Sequence, residues 1–474
     1  MPAAGGTRLV PHKRQRTFVG LGFGPIQGGL FLYEAFRSGN FGRLVVAEVM
    51  QDAVEAVRDS GGMYSVNIAY SDRIEIARVG PVEIYLPASE SDRGFLVDAI
   101  AGADEIATAV PSVQQYVSGG QGSIHRLLAQ GLRRKVESRG PRAVIYAAEN
   151  HNHAAEILED AVLGEIPEVE RPRVRTHVRF LNTVIGKMSG LVSDPDEIRD
   201  RALETVAPRL PRAFLVEAFN RILISRIQFG ETGPGDAFQR GITIFEEKDN
   251  LLPFEEAKLY GHNATHALAA YVGAVRGLQR VADLRRFPDV IDFVRAAFTR
   301  ESGEALIRRH SGLDRLFTRE GYREYAEDLL ERMLNPYLQD TIERVGRDPA
   351  RKLAWDDRLA GTIRIALGQG IRARRFAMGI AAALAFLEPS TVEDDRRASD
   401  LLGSLWARVA PDSREKRAVV SLIDEGRRHL REWLRSGFRP LESIFEPGSE
   451  QEHDQKEGGN CDDTRDPRPP EIPH

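Results

Sequence analysis

Lys258, Asn263 and His266 fall in one short run, K-L-Y-G-H-N-A-T-H (258–266). A lysine amine, a carboxamide and an imidazole sharing one pocket can move a proton at a carbonyl or alcohol without a metal. The amine takes the proton, and the other two hydrogen-bond the oxygen as its charge changes. The run opens an Ala-rich apolar segment, A-L-A-A-Y-V-G-A-V (267–275), that reads as a buried helix. At about 100° per residue the three side chains fall within an arc of about 140°. Eight helical residues rise about 12 Å, so Lys258 is expected at a flexible start of the helix, or else on a different atom of an extended substrate. Two other readings fit the run. One is a helix N-terminus with a surface lysine and two satisfied polar side chains. The other is a metal site, because His262 and His266 are four apart on one face; Asn263, however, stands where H-E-x-x-H has its glutamate.

The elements that must position this set lie upstream. T-F-V-G-L-G (17–22) reads as a buried strand, and F-G-P-I-Q-G-G (23–29) as a turn into a helix ending at Ser38-Gly39. R-L-V-V-A-E-V (43–49) reads as a second strand, which completes a β-α-β unit. Further strands are predicted at 82–86, 105–110, 143–148 and 178–181. Strands alternating with helices imply an α/β, Rossmann-like, doubly wound sheet that is mainly parallel. From about residue 250 helical periodicity takes over, and the Gly-rich stretch 230–250 places a boundary near 235. The expected organisation is a flexible N-terminus (1–16), a dinucleotide-binding domain (17–235), a mainly α-helical substrate and catalytic domain (236–447) and a disordered acidic tail (448–474).

The first β-α turn, Gly22-x-Gly24-x-x-Gln27-Gly28-Gly29, approximates a dinucleotide fingerprint. Gly22 permits the tight turn, and Gly24 lets a pyrophosphate approach the helix N-terminus. Gln27 replaces the third glycine, which is expected to loosen helix–strand packing. Glu48 ends the second strand, where a carboxylate accepts hydrogen bonds from adenine-ribose hydroxyls and repels a 2′-phosphate, favouring NAD over NADP. Two later strand ends, at Pro111 and at Glu149-Asn150, face the same side of the sheet. Asn150 either meets the nicotinamide end or caps the next helix. His151 and His153 lack a third ligand and read as polar loop residues.

Composition narrows the partners. The 474 residues are 42% hydrophobic and 28% charged with a net charge of −5, so no basic excess points to nucleic acid. The one cysteine, Cys461, rules out an intrachain disulfide or a cysteine-based zinc site. Neither a signal-peptide pattern nor a membrane-length apolar run is present, and a cytoplasmic location is the expectation.

Several stretches carry a family resemblance: A-A-E-N (147–150), K-L-Y-G-H-N-A-T-H-A-L-A-A-Y-V-G (258–273), E-S-G-E-A-L-I (301–307), and N-P-Y-L-Q-D-T-I-E-R-V-G-R-D-P-A-R-K-L (335–353) followed by Asp357-Arg358-Leu359. Over roughly residues 17–385 the chain resembles the long-chain, metal-independent polyol dehydrogenases, and the 335–359 block resembles their sugar-phosphate branch. The resemblance implies Lys258 as general base, with Asn263 and His266 on the reacting oxygen. It also implies Asn182 as a second oxyanion partner, Glu255 as a proton relay, and Arg344 and Lys352 on the substrate. Read without it, the basic cluster Arg344, Arg347, Arg351 and Lys352 is a solvated charged loop. Gly186-Lys187 stands where the family has Asp-Arg, which puts Lys187 at the substrate wall. Ile222 and Ser225 replace a tryptophan and an acid.

The implied activity is NAD-dependent interconversion of a phosphorylated polyol like mannitol 1-phosphate and its ketose phosphate. Two rivals remain: the same chemistry on an unphosphorylated polyol, a hexuronate or a sugar phosphate of specialised metabolism; and a non-catalytic dinucleotide-binding regulator.

Overall fold

A computed structural model describes residues 15–230, 237–338, 340–409 and 414–445. The N-terminal residues up to 14, the boundary expected near 235 and the tail with Cys461 lie outside the described residues.

Among the described residues twelve strands form two sheets: β1 (Arg16–Leu21), β2 (Phe41–Ala47), β3 (Tyr64–Ala69), β4 (Ile74–Val79), β5 (Glu83–Tyr85), β6 (Glu105–Thr108), β7 (Ala143–Ala147), β8 (Val178–Ile185), β9 (Ser189–Val192), β10 (Ala213–Glu217), β11 (Ile222–Ser225) and β12 (Glu246–Lys248). The larger sheet has the order β12-β11-β8-β7-β6-β1-β2-β5. Its span from β5 to β8 is parallel throughout, in the order of the doubly wound dinucleotide fold. Strands covered by helices on both faces must be apolar on both, and all five residues of β7, A-V-I-Y-A, are buried. Order reverses between β1 and β6, so a crevice opens beyond their carboxyl ends, where Gly22 and Ala109 lie.

A second sheet, β4-β3-β10-β9, is absent from the sequence reading. It packs on the first helix through glycine: a Cβ at Gly28 would meet the Phe214 ring at 2.7 Å, and one at Gly29 would meet Val216. Gly39 ends that helix in the left-handed region at φ 65°, as Ser38-Gly39 predicts.

Beyond Leu252 the described residues are helical apart from their connections. The Ala-rich helix Ala264–Val275 packs against the helix Arg374–Leu387, whose Gly379 abuts Leu268. Small side chains on both allow that close approach. The Glu301 carboxylate, in the E-S-G-E stretch, accepts the N–H groups of Arg375 (2.9 Å) and Phe376 (3.1 Å) and so caps the latter helix. Among the described residues no helix is long and apolar enough to cross a membrane.

The two halves are joined by a buried ion pair. Arg332, on the helix Arg319–Met333, donates to Glu217 at the end of β10 at 2.9 and 2.6 Å and to the Gly186 carbonyl, and it stacks on Phe219.

Candidate active site

The helix that carries Lys258 begins before it. Leu252–Glu256 is α-helical, Ala257–Asn263 is π-helical, and α geometry resumes at Ala264. A π turn bonds each N–H five residues back, as Ala264 N–H does to Leu259. Residue i+5 then returns toward the face of residue i. Lys258 and Asn263, which five α-helical steps would set about 140° apart, turn toward one side. The geometry at Lys258 is therefore a widened turn within a continuous helix, not a flexible start.

Lys258, Asn263 and His266 line one cavity of about 350 Å³, together with Asn150 and residues 185–189. Lys258 Nζ donates to Asn150 Oδ1 at 3.0 Å. Burial lowers its pKa to about 8; Arg358 pushes the same way and Glu255 opposes. Burial also holds His266 neutral, with a pKa lowered to about 3, helped by Arg344 and Arg358. Its Nε2 lies 3.4 Å from Asp340 Oδ2, and neither atom makes a hydrogen bond. His262 is buried, its pKa well below the ordinary histidine value because of desolvation, and it lines this cavity and a neighbouring one of about 440 Å³. Among the described residues no group of three or more His, Cys, Asp or Glu side chains could hold a metal.

Cations dominate the cavity wall: Lys187, Lys258, Arg344, Arg347, Arg351, Lys352 and Arg358 against Asp340 as the one lining carboxylate among the described residues. Several are already engaged. Arg344 pairs with Asp340, and the Lys352 ammonium donates to the Arg347 carbonyl. The Lys187 ammonium, expected at the substrate wall, lines the cavity and donates to Glu217 O, Phe219 O (3.0 Å) and Asn220 Oδ1 (2.6 Å). Burial lowers the pKa of both lysines to about 8.

Asn182 lies on β8, outside the lining of that cavity. Its Oδ1 accepts from Ala155 N (2.9 Å), and its Nδ2 donates to Glu156 (2.8 Å). Glu255 stands one helical turn before Lys258, half-buried, with its pKa raised by desolvation to about 6; the charges of His153, Glu156 and Lys258 all act on it.

A separate cavity of about 630 Å³ lies in the crevice of the parallel sheet, lined by Gly22, Phe23, Gly24, Glu48, Val110, Pro111 and Arg212 among others. Gly22 adopts φ +94°, and a Cβ there would meet Ala109 O at 2.7 Å; Gly24 has open space around it. Glu48 accepts Phe23 N (3.0 Å) and Met50 N (2.7 Å), bracing the glycine turn. A carboxylate has about four acceptor positions, so Glu48 keeps capacity for a ribose hydroxyl beside the backbone N–H groups of Phe23, Val49 and Met50. This turn, the open approach at Gly24 and the acidic strand end fit a dinucleotide. Glu149 plays an internal part: it accepts Thr108 Oγ1 (2.9 Å), Val110 N (3.0 Å) and the Tyr116 hydroxyl, fixing the loop that carries Pro111. Asn150 caps no helix; its carboxamide meets Lys258.

Gln27 is fully buried with neither amide atom bonded, and its side chain lies over Gly20 of β1, where a Cβ would overlap it. The glycine missing from the helix is supplied by the strand. Helix and strand pack closely, contrary to the loosening expected from sequence.

Residues 250–424 match the mannitol dehydrogenase C-terminal domain. Mannitol-1-phosphate 5-dehydrogenase of Bacillus licheniformis is 30% identical over 365 residues, covering 74% of this chain and 86% of the relative. The chain belongs to the mannitol dehydrogenase family. It is accordingly an oxidoreductase acting on CH–OH groups. Among solved structures, Pseudomonas fluorescens mannitol 2-dehydrogenase, a ternary complex with NAD and D-mannitol, superposes with a TM-score of 0.61 at 15% identity, covering 91% of this chain and 93% of that one. A substrate-free D-sorbitol dehydrogenase superposes with a TM-score of 0.69 at 14% identity, covering 91% and 95%. These two share the fold.

Asp340, Arg358 and the Glu217–Arg332 pair are absent from the sequence reading as site residues. Arg358 stands in the D-R-L stretch, where its only signal is a charge at the start of an apolar helix, and Asp340 is one acid in a charged segment.

Proposed function

We propose that this enzyme is an NAD-dependent, metal-independent dehydrogenase interconverting a phosphorylated acyclic polyol and its ketose phosphate. The observation that carries the reading is the cavity in which Lys258, Asn263 and His266 share walls with a cationic majority. A phosphate on an open-chain substrate matches that charge, and the mannitol-1-phosphate relative agrees with it.

Gly22, Gly24 and Glu48 hold NAD, with Pro111 at the adjoining strand end. Bound there, NAD would supply the hydride acceptor for the alcohol carbon. Lys258, neutral above about pH 8, takes the hydroxyl proton. The Asn263 carboxamide and the neutral His266 imidazole hydrogen-bond the oxygen as it becomes a carbonyl. Glu255, whose carboxyl feels the charge of Lys258, then receives the proton from it. Asn182 supports this region by holding the start of the helix Ala154–Gly164.

The test is a panel of hexitols, hexitol 1-phosphates and hexuronates with NAD and NADP, followed by reduced nicotinamide. Strong preference for a hexitol phosphate and NAD is expected. Equal or better use of the parent hexitol or a hexuronate would overturn the substrate class, and no turnover with any of them would favour a regulatory protein.

A further inference from the structure

We infer that the substrate phosphate is gripped by Arg358 and Arg347, and not by Arg344 and Lys352. The inference rests on the phosphorylated-substrate reading and deepens it.

Arg344 is paired with Asp340, and the Lys352 ammonium is buried and directed at the Arg347 carbonyl. Lys187 is turned onto three oxygens of 217–220. Arg351 is exposed, paired through Nε with Asp348 at 2.8 Å, and has a terminal nitrogen 3.8 Å from Asp357. A charge already satisfied by a neighbouring carboxylate or carbonyl contributes less to a ligand than one whose donors are open.

Arg358 is ion-paired too, with Asp357 at 2.8 Å, but through Nε in a largely buried side chain, whereas Arg344 engages Asp340 through a terminal nitrogen. Asp357 Oδ1 accepts its backbone N–H (2.6 Å) and its Nε (2.8 Å), which leaves both terminal nitrogens without a hydrogen bond among the described residues. The side chain is only 11% exposed, so those nitrogens are oriented by a fixed stem at the cavity wall. A guanidinium fixed at Nε presents a planar pair of donors suited to bidentate contact with phosphate. Arg347 lines the same cavity, is exposed, and has no ion-pair or hydrogen-bond partner for its side chain among the described residues. Lys352, by holding the Arg347 carbonyl, fixes the backbone from which that arginine projects. The buried, oriented guanidinium of Arg358 sets the position of the anion, and the exposed Arg347 guanidinium meets it from the solvent side.

The experiment measures kcat/KM for a hexitol 1-phosphate and its parent hexitol with the intact protein, and with R358M, R358K, R347M, R347M/R358M and R344M. Inhibition of hexitol oxidation by inorganic phosphate is read alongside. Each single Met variant at 347 or 358 is expected to lower the preference for the phosphorylated substrate about tenfold, and the double variant about hundredfold. Inorganic phosphate inhibition weakens in parallel. R358K retains part of the preference, and R344M keeps the ratio. If R358M fails to fold, R358K and the exposed R347M carry the test. A double variant that keeps the full preference, or an R344M that abolishes it, overturns the inference while leaving the phosphorylated-substrate reading intact. An unaltered enzyme without preference overturns that reading, and the inference with it.

Discussion

Lys258 Nζ and Asn150 Oδ1 are 3.0 Å apart, and this contact ties the helical half of the molecule to the end of β7 in the parallel sheet. The amine is thereby placed where the sheet presents its ligands, beyond the carboxyl ends of the strands. Lys258 also lines the cavity that Asn263 and His266 share.

The first prediction is a pH limb. Burial and Arg358 favour the neutral amine, bringing its pKa to about 8. A base must be neutral to accept a proton, so kcat/KM for alcohol oxidation should rise with pH and level off above about 8. Lys258→Met should remove turnover by on the order of 10²–10⁴-fold, with NAD affinity unchanged by calorimetry. Near-normal turnover in that variant would return Lys258 to a surface role.

Glu255 supplies a second prediction with the opposite sign to Arg358. Its negative charge raises the Lys258 pKa, while its own is pushed by burial to about 6. Glu255→Gln removes that support, so the oxidation limb should move below 8 as kcat falls. A limb that stays in place, with unchanged kcat, would exclude Glu255 from the proton path.

How much of this was legible depends on how local each signal is. The strands from β5 to β8 are readable because burial on both faces writes them as apolar runs such as A-V-I-Y-A. The second sheet is harder: β4 alternates as I-E-I-A-R-V, a readable pattern, but β3 finds its other partner in β10, some 150 residues away, through no local feature. In the site, the spacing of Lys258, Asn263 and His266 is visible, yet the π turn that brings the first two to one face is not written in composition. Partner choice is likewise tertiary. The Asn182 carboxamide goes to Ala155 and Glu156, and the Lys187 ammonium to residues 217–220, because the fold puts those groups within reach.

The exchange of glycine between helix and strand gives a third prediction. A Cβ at Gly20 would overlap the buried Gln27 amide. Gly20→Ala should therefore cost about 1–3 kcal/mol, the usual range for overpacking a core. Gln27→Ala in the same chain removes the obstacle and two unbonded polar atoms, and should recover most of that loss. Urea unfolding of the single and double variants measures the coupling; additive effects would show that the two residues do not compete for the same space.

The fourth prediction concerns the joint between the halves. Arg332 satisfies both oxygens of Glu217, whose side chain is 3% exposed, and also holds the Gly186 carbonyl at the cavity wall. Removing one partner of a buried pair leaves the other charge uncompensated, at a cost of about 3–5 kcal/mol. Arg332→Met should therefore destabilise by that order, and Arg332→Met with Glu217→Gln should be less destabilised than the single variant because no buried charge is left alone. The Glu217 carboxylate also accepts Met188 N and faces Lys187, so recovery in the double variant will be partial. Denaturant midpoints, read together with kcat, check both parts. A loss below about 1 kcal/mol for Arg332→Met would place the pair among weak surface bridges and remove it as the element that holds Gly186 against the site.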